Sequence, residues 1–303
     1  MTSIWGKIFK RKNQENSIVT NDVIAAVKEE PLLSSENKRL QFADIVVYQT
    51  AHPENELFTR AAEDLYQTVD EDVRKHIKRI TVGVFGEDGR CAPSIVNNKL
   101  EINISISQSM KGSRIIGNYN DFTRNYFIET LAHELVHAQS MSNIVTSYGI
   151  QEFELIKTDI IAKIGFFGFE EYLACKVVAQ KYDSFELIGR QRSIDSIIKS
   201  PVGNLGLDKN WSFDLINEMF YEIATRAAFV NVSTEQAKLI ETDNQKYIDF
   251  ITKIRDLLRQ FESKTPLNKD QYFFLGNTLI TEHYLATTNF DSSVIENKIN
   301  NLF

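Results

Sequence analysis

Thr130-Leu131-Ala132-His133-Glu134-Leu135-Val136-His137-Ala138 is the stretch on which the reading of the chain turns. It carries an H-E-x-x-H inside an apolar helical run, and residues four apart on an α-helix lie one above the other on the same face. His133 and His137 can therefore aim two imidazoles at one point, the geometry of two ligands on one metal. Glu134 turns toward the same pocket, where it can exchange a proton with a metal-bound water without being a ligand. No other charge falls between Thr130 and Ala138, as expected of a helix packed into a domain with only its metal face open. The competing reading is an exposed helix with two His at helical spacing by coincidence. With 5 His in 303 residues, that arises in roughly one chain in a hundred of this size.

On these residues the sequence resembles the zincin-like metallopeptidases. Their signature has Thr or Val three residues before the first His and uncharged residues around the pair, and Thr130 and the run from Leu131 to Ala138 fit it. Gln139 departs from it, since a hydrophobic residue is common there. Ser140 and Asn143 stand in the places of the Gly and His of the longer form, which excludes the metzincin branch and directs attention downstream for a carboxylate. A catalytic zinc site needs three protein ligands and one position left for water. Gly168-Phe169-Glu170-Glu171-Tyr172-Leu173-Ala174-Cys175 resembles the E-x-x-A pattern by which the gluzincin branch supplies its glutamate from a second helix. The resemblance thus implies Glu171 as the third ligand, on a helix that this segment opens, with Ala174 small enough to let the two helices approach. Glu170 is the rival ligand, and both acids can also be read as helix N-terminal carboxylates favoured by the macrodipole. Cys175 stands where the family often has Asp or Asn, so support for a ligand His must come from elsewhere. The resemblance covers about residues 122–182.

The resemblance implies an α+β fold: a zincin-like domain with a small β-sheet and the His-bearing helix, followed by a predominantly α-helical C-terminal region. It implies Zn2+ held by His133, His137 and Glu171, a water with its pKa lowered toward ~7, and Glu134 as general base in peptide-bond hydrolysis. A donor for the developing oxyanion is also needed, and the candidates are Tyr172 and His283. His52 and His76 read as surface residues. The alternatives are a zincin-fold protein that binds a partner without turnover, a hydrolase of a non-peptide amide, and a narrowly specific regulatory or toxin-type protease acting on one protein.

Composition, 43% hydrophobic and 25% charged over 303 residues, is that of a globular protein with length for one large or two modest cores. A net charge of −7 argues against nucleic acid as a general partner, because phosphate neutralisation needs a basic surface. The expected partner is a peptide or protein substrate. Cys91 and Cys175 do not make a disulfide framework, Cys175 reads as a buried core residue, and a reducing, cytoplasmic setting is expected. Residues 1–12 carry too short an apolar core for a signal peptide. Ile4, Trp5, Ile8 and Phe9 amid Lys7, Lys10, Arg11 and Lys12 suit either a weak hold on an anionic membrane surface or a flexible basic terminus.

Three regions are expected: a loosely held leader over 1–40 with a short helix at 21–30, a metallopeptidase core over 41–183, and an α-helical domain over 184–303 that closes the cleft. Helical spacing runs from Asn55 to about Gln67, a strand covers Ile80 to Phe85, and Gly86 to Gly89 has turn chemistry with Pro93 in the connection. Leu100, Ile102, Ile104 and Ile106 alternate with Glu101, Asn103, Ser105 and Ser107, which gives a strand with one core face and one wet face. That strand or a short neighbour is expected to be the sheet edge that pairs with an extended substrate. The His helix is predicted over 122–140 with an N-cap among 118–121, and another over Glu152 to Ile164, broken by Gly165 and Gly168. Asp159 in that helix reads as a solvated surface charge. Further helices are predicted at about 184–199, 212–229, 233–262 (with a capping box of Ser233 and Gln236) and 268–288. Their aromatics, among them Trp211, Phe213, Phe220, Tyr221, Phe229, Phe273 and Phe274, are expected in the core.

Overall fold

The computed structural model describes residues 37–47, 55–83, 85, 89–108, 121–181 and 245–287. The expectations for residues 1–36 of the leader, for the helices at 184–199 and 212–229, and for the Ser233 cap lie outside these residues; the last part of the expected leader is instead ordered, with 37–39 a strand of the sheet and Leu40 buried. The elements are β1 Asn37–Arg39, β2 Asp44–Val47, α1 Asn55–Gln67, α2 Glu71–Arg74, β3 Ile77–Gly83, β4 Gly89–Val96, β5 Lys99–Ser107, α3 Asp121–Tyr148, α4 Ile150–Thr158, α5 Ile160–Lys181, α6 Gln245–Glu262 and α7 Lys269–Thr287.

The strands form one mixed sheet in the order β1-β2-β3-β5-β4, so the chain is α+β. β2, β3 and β5 run parallel to one another, while β1 and β4 pair antiparallel with their neighbours. β5 alternates over most of its length: Leu100, Ile102, Ile104 and Ile106 are buried and Asn103 is exposed, but Ser107, expected on the wet face, is buried. It lies inside the sheet, and β4 is the strand that ends it. The segment read as a connection is therefore itself a strand, with Pro93 opposite Ile102. Pro fits there because an edge strand has one side on which no N–H is needed. β4 and β5 join through Asn97 and Asn98, both left-handed (φ 50° and 59°), which matches the twist of a two-residue hairpin.

α1 lays Phe58, Ala62 and Tyr66 on the core, and the Phe58 ring meets Phe127 of α3 edge-on at 5.0 Å. α3 is buried on nearly every side between residues 126 and 138, with only Ile128 and Val136 half-exposed. A helix buried on nearly all sides is one enclosed by the rest of the domain, and α3 packs on α1, on β4 and β5, and on α5. It runs beyond the predicted Ser140 to Tyr148, since Met141, Ser142 and Ile144 are also buried, and it ends at Gly149 with φ 87°.

The break expected at Gly165 and Gly168 falls at Asp159 instead. Asp159 has extended backbone, and its Oδ1 accepts from the backbone N–H of Ile161 and of Ala162, both at 3.0 Å. It is the N-cap of α5, and its other oxygen pairs with Lys269 at 3.0 Å; it is not a free surface charge. Gly165 and Gly168 lie inside α5, where they let α7 come close. A Cβ on Gly165 would stand 1.9 Å from the Tyr272 carbonyl oxygen, and one on Gly276 1.9 Å from that of Ile161. α7 begins with a reciprocal cap: Gln271 N–H donates to Asn268 Oδ1 at 3.0 Å and Asn268 N–H to Gln271 Oε1 at 2.9 Å. Because Tyr272, Leu275 and Leu279 face the core, Phe273 and Phe274 fall on the outer side and are exposed, contrary to expectation. Cys175 is fully buried, as predicted.

Candidate metal centre

α3 and α5 bring His133, His137 and Glu171 together. The two imidazole Nε2 atoms lie 3.0 Å apart, and the Glu171 oxygens stand 3.2 Å from His133 Nε2 and 3.4 Å from His137 Nε2. Four-coordinate zinc holds N and O ligands at about 2.0–2.1 Å, so in a tetrahedron its ligand atoms are roughly 3.3–3.4 Å from one another. The observed separations come close to this, and these three residues can hold a metal ion. The rings meet at 79°, as two imidazoles converging from successive turns do.

Glu171 lies in the middle of α5 rather than at its start. Helix-end charge therefore does not account for its state, since the macrodipole acts within the first and last turns. Burial pushes the carboxyl up, but the two imidazoles outweigh it and hold Glu171 far below the usual carboxylate range. Glu170 turns elsewhere. It is 2% exposed, and Tyr272 Oη donates to its Oε1 at 2.7 Å. Burial raises its pKa, only partly offset by the Tyr272 hydrogen bond and by the nearby Ser140 and His137. Of the two rival acids, Glu171 joins the imidazoles.

Glu134 is buried beside the pair and faces β4: a Cβ on Gly89 would meet its Oε1 at 2.7 Å. Cys91, on the same strand, has its thiol pushed well above its ordinary value by burial and then by the Glu134 charge. Thr130, one turn earlier in α3, donates to the Tyr126 carbonyl at 2.9 Å and is buried. Tyr172 is fully buried, and its hydroxyl donates to Glu262 Oε1 at 2.6 Å; acting at an oxyanion would require giving up that bond. The side chain of His283, like His52, lies outside the described residues. His76 is half-buried rather than on the surface, with Nδ1 3.2 Å from the Leu100 carbonyl oxygen and its pKa lowered by burial.

Gly89, Cys91, Ser140 and Tyr272 were not read from sequence as neighbours of the site. Each lies far along the chain from at least one of the groups it meets, and no local pattern marks it.

No protein-family model, curated protein or solved structure matches the chain. No helix among the described residues is long and apolar enough to cross a membrane.

Proposed function

We propose that the chain is a zinc-dependent metallopeptidase. The observation that carries this reading is the convergence of His133, His137 and Glu171 on one point with Glu134 beside them. Zinc bound there would supply a Lewis acid that polarises the scissile carbonyl and makes water acidic near pH ~7. Glu134 takes the proton of the attacking water and delivers it to the leaving amine. β4 ends the described sheet, and its Gly89 lies against Glu134. An extended peptide that adds to that edge by main-chain hydrogen bonds would run past the general base. With Tyr172 bonded to Glu262, His283 is the oxyanion donor to examine first.

The test separates metal binding from turnover. Glu134→Gln should retain zinc in elemental analysis yet fail to cleave a peptide library that the wild-type protein digests in a chelator-sensitive way; His133→Ala should lose both. Wild-type behaviour of both variants in both assays would refute the proposal.

A further inference from the structure

We propose that Glu170 is a positioning residue for the metal ligands, and that through Tyr272 it makes the docking of α7 a part of the metal centre. The inference rests on the reading of His133, His137 and Glu171 as ligands.

An acid this thoroughly buried is rare unless something holds it. Glu170 is held from α7. Tyr272 of α7 donates to Oε1 at 2.7 Å across 102 residues of sequence, and Ser140 of α3, one turn beyond His137, lies near the carboxyl. The helix of the carboxylate ligand and α7 thus meet at one side chain, with Ser140 of the imidazole helix close by. Cys175, one turn after Glu171, has no carboxyl to offer a ligand His.

Tyr272 is itself fixed. Its ring packs against Phe166 (centroids 5.4 Å apart) and Phe169 (6.4 Å). Its carbonyl sits so close to Gly165 that a Cβ there would be 1.9 Å away. A hydroxyl so placed sets the rotation of α5 about its own axis. Successive helical residues point about 100° apart, so Glu170 turned to α7 leaves Glu171 turned to α3. A rotation that releases Glu170 also carries Glu171 off the imidazoles. Groups that orient metal ligands in this way typically change affinity 10–100-fold when removed.

The experiment compares the zinc affinity of full-length wild-type, Tyr272→Phe, Glu170→Gln and Tyr148→Phe proteins by chelator competition, together with the visible absorption of their Co2+ forms. Tyr148 Oη donates to the Pro266 carbonyl at 2.8 Å. It ties the end of α3 to the α6–α7 connection without touching Glu170, so it controls for loosened packing. Tyr272→Phe and Glu170→Gln should each bind zinc at least about tenfold more weakly and shift the Co2+ bands, while Tyr148→Phe should match wild type. Hydrogen exchange on the wild-type protein adds a measurement that needs no variant: zinc should slow exchange in α7 around Tyr272 as well as in α3 and α5. Wild-type affinity in Tyr272→Phe or Glu170→Gln, or protection confined to α3 and α5, overturns the inference while leaving the metal site in place. Failure of the wild-type protein to take up zinc overturns both.

Discussion

Gly276→Ala sets two physical effects against each other. Helix propensity alone favours Ala over Gly inside α7 by ~1 kcal/mol. Packing opposes it, because the new Cβ would stand 1.9 Å from the Ile161 carbonyl oxygen and 2.9 Å from Gly165 N. An ordinary carbon–oxygen contact is about 3.3 Å, so α5 and α7 would have to part by roughly 1.4 Å. Both obstacles are backbone and cannot rotate aside. Overpacking typically costs 1–3 kcal/mol, and here the upper end applies. The net is a loss of about 2 kcal/mol, or roughly 4–8 °C in Tm for a domain of this size. Gly168→Ala is the matched comparison: its Cβ would meet only the Leu279 Cδ1 atom, at 2.9 Å, the far end of a side chain that can turn away. Urea and thermal unfolding of the metal-free proteins would measure both. A Gly276→Ala protein as stable as wild type or more so, or one no worse than Gly168→Ala, would refute the close crossing of α5 and α7.

Other perturbations read different parts of the same structure. Asp159→Ala removes the cap on Ile161 and Ala162 and the pairing with Lys269, and should cost about 1 kcal/mol; an unchanged Tm would return Asp159 to the role of a surface charge. Gly89→Ala places a Cβ 2.7 Å from both Glu134 Oε1 and Thr130 Cγ2. It should leave zinc content intact but lower any chelator-sensitive cleavage by on the order of 100-fold, the usual consequence of misplacing a catalytic group by about 1 Å; full turnover would show that β4 does not confine Glu134. At Glu262, burial raises the carboxyl, but the Lys176 ion pair (2.6 Å) and the Tyr172 hydroxyl outweigh it and lower its pKa. A carboxyl depressed in the folded state stabilises above its unfolded pKa of about 4.3 and loses that contribution as pH falls through the folded value. The Tm gap between wild type and Glu262→Gln should therefore be present near neutral pH and shrink in acid; a gap that does not change with pH would mean that the pairing contributes nothing.

What the sequence made legible was local. Two imidazoles four residues apart on one helix, the alternation of β5 and the burial of Cys175 all follow from periodicity within a single element. The preference for Glu171 over Glu170 came from the E-x-x-A resemblance rather than from periodicity, and the structure agrees with it; the reason Glu170 turns away is not local, because Tyr272 enters 102 residues later. Gly165 and Gly168 were misread for a related reason. Their cost inside a helix is a property of the isolated segment, whereas the approach of α7 that offsets it is a property of the fold. Pro93 was assigned to a connection because Pro removes a ladder donor, which matters in a central strand and not at the open side of β4. Phe273 and Phe274 show the limit of composition: adjacent residues on a helix cannot both share the face of Tyr272, Leu275 and Leu279.

α5 is held on three sides, and its two neighbouring acids show how the fold uses that. Tyr172 and Lys176, four residues apart, reach Glu262 of α6, Glu170 reaches Tyr272 of α7, and Glu171 reaches the imidazoles of α3. Burial disfavours ionisation of both Glu170 and Glu171. Two imidazoles reverse the balance for Glu171, while the hydroxyls around Glu170 do not, so the pKa values move in opposite directions. A ligand must be ionised to hold a cation, and a positioning group needs only to keep its hydrogen bonds. On the proposed reading, the fold separates the two roles by the 100° between consecutive helical residues, which is why the anchoring of α5 from α6 and α7 bears on the chemistry proposed for α3.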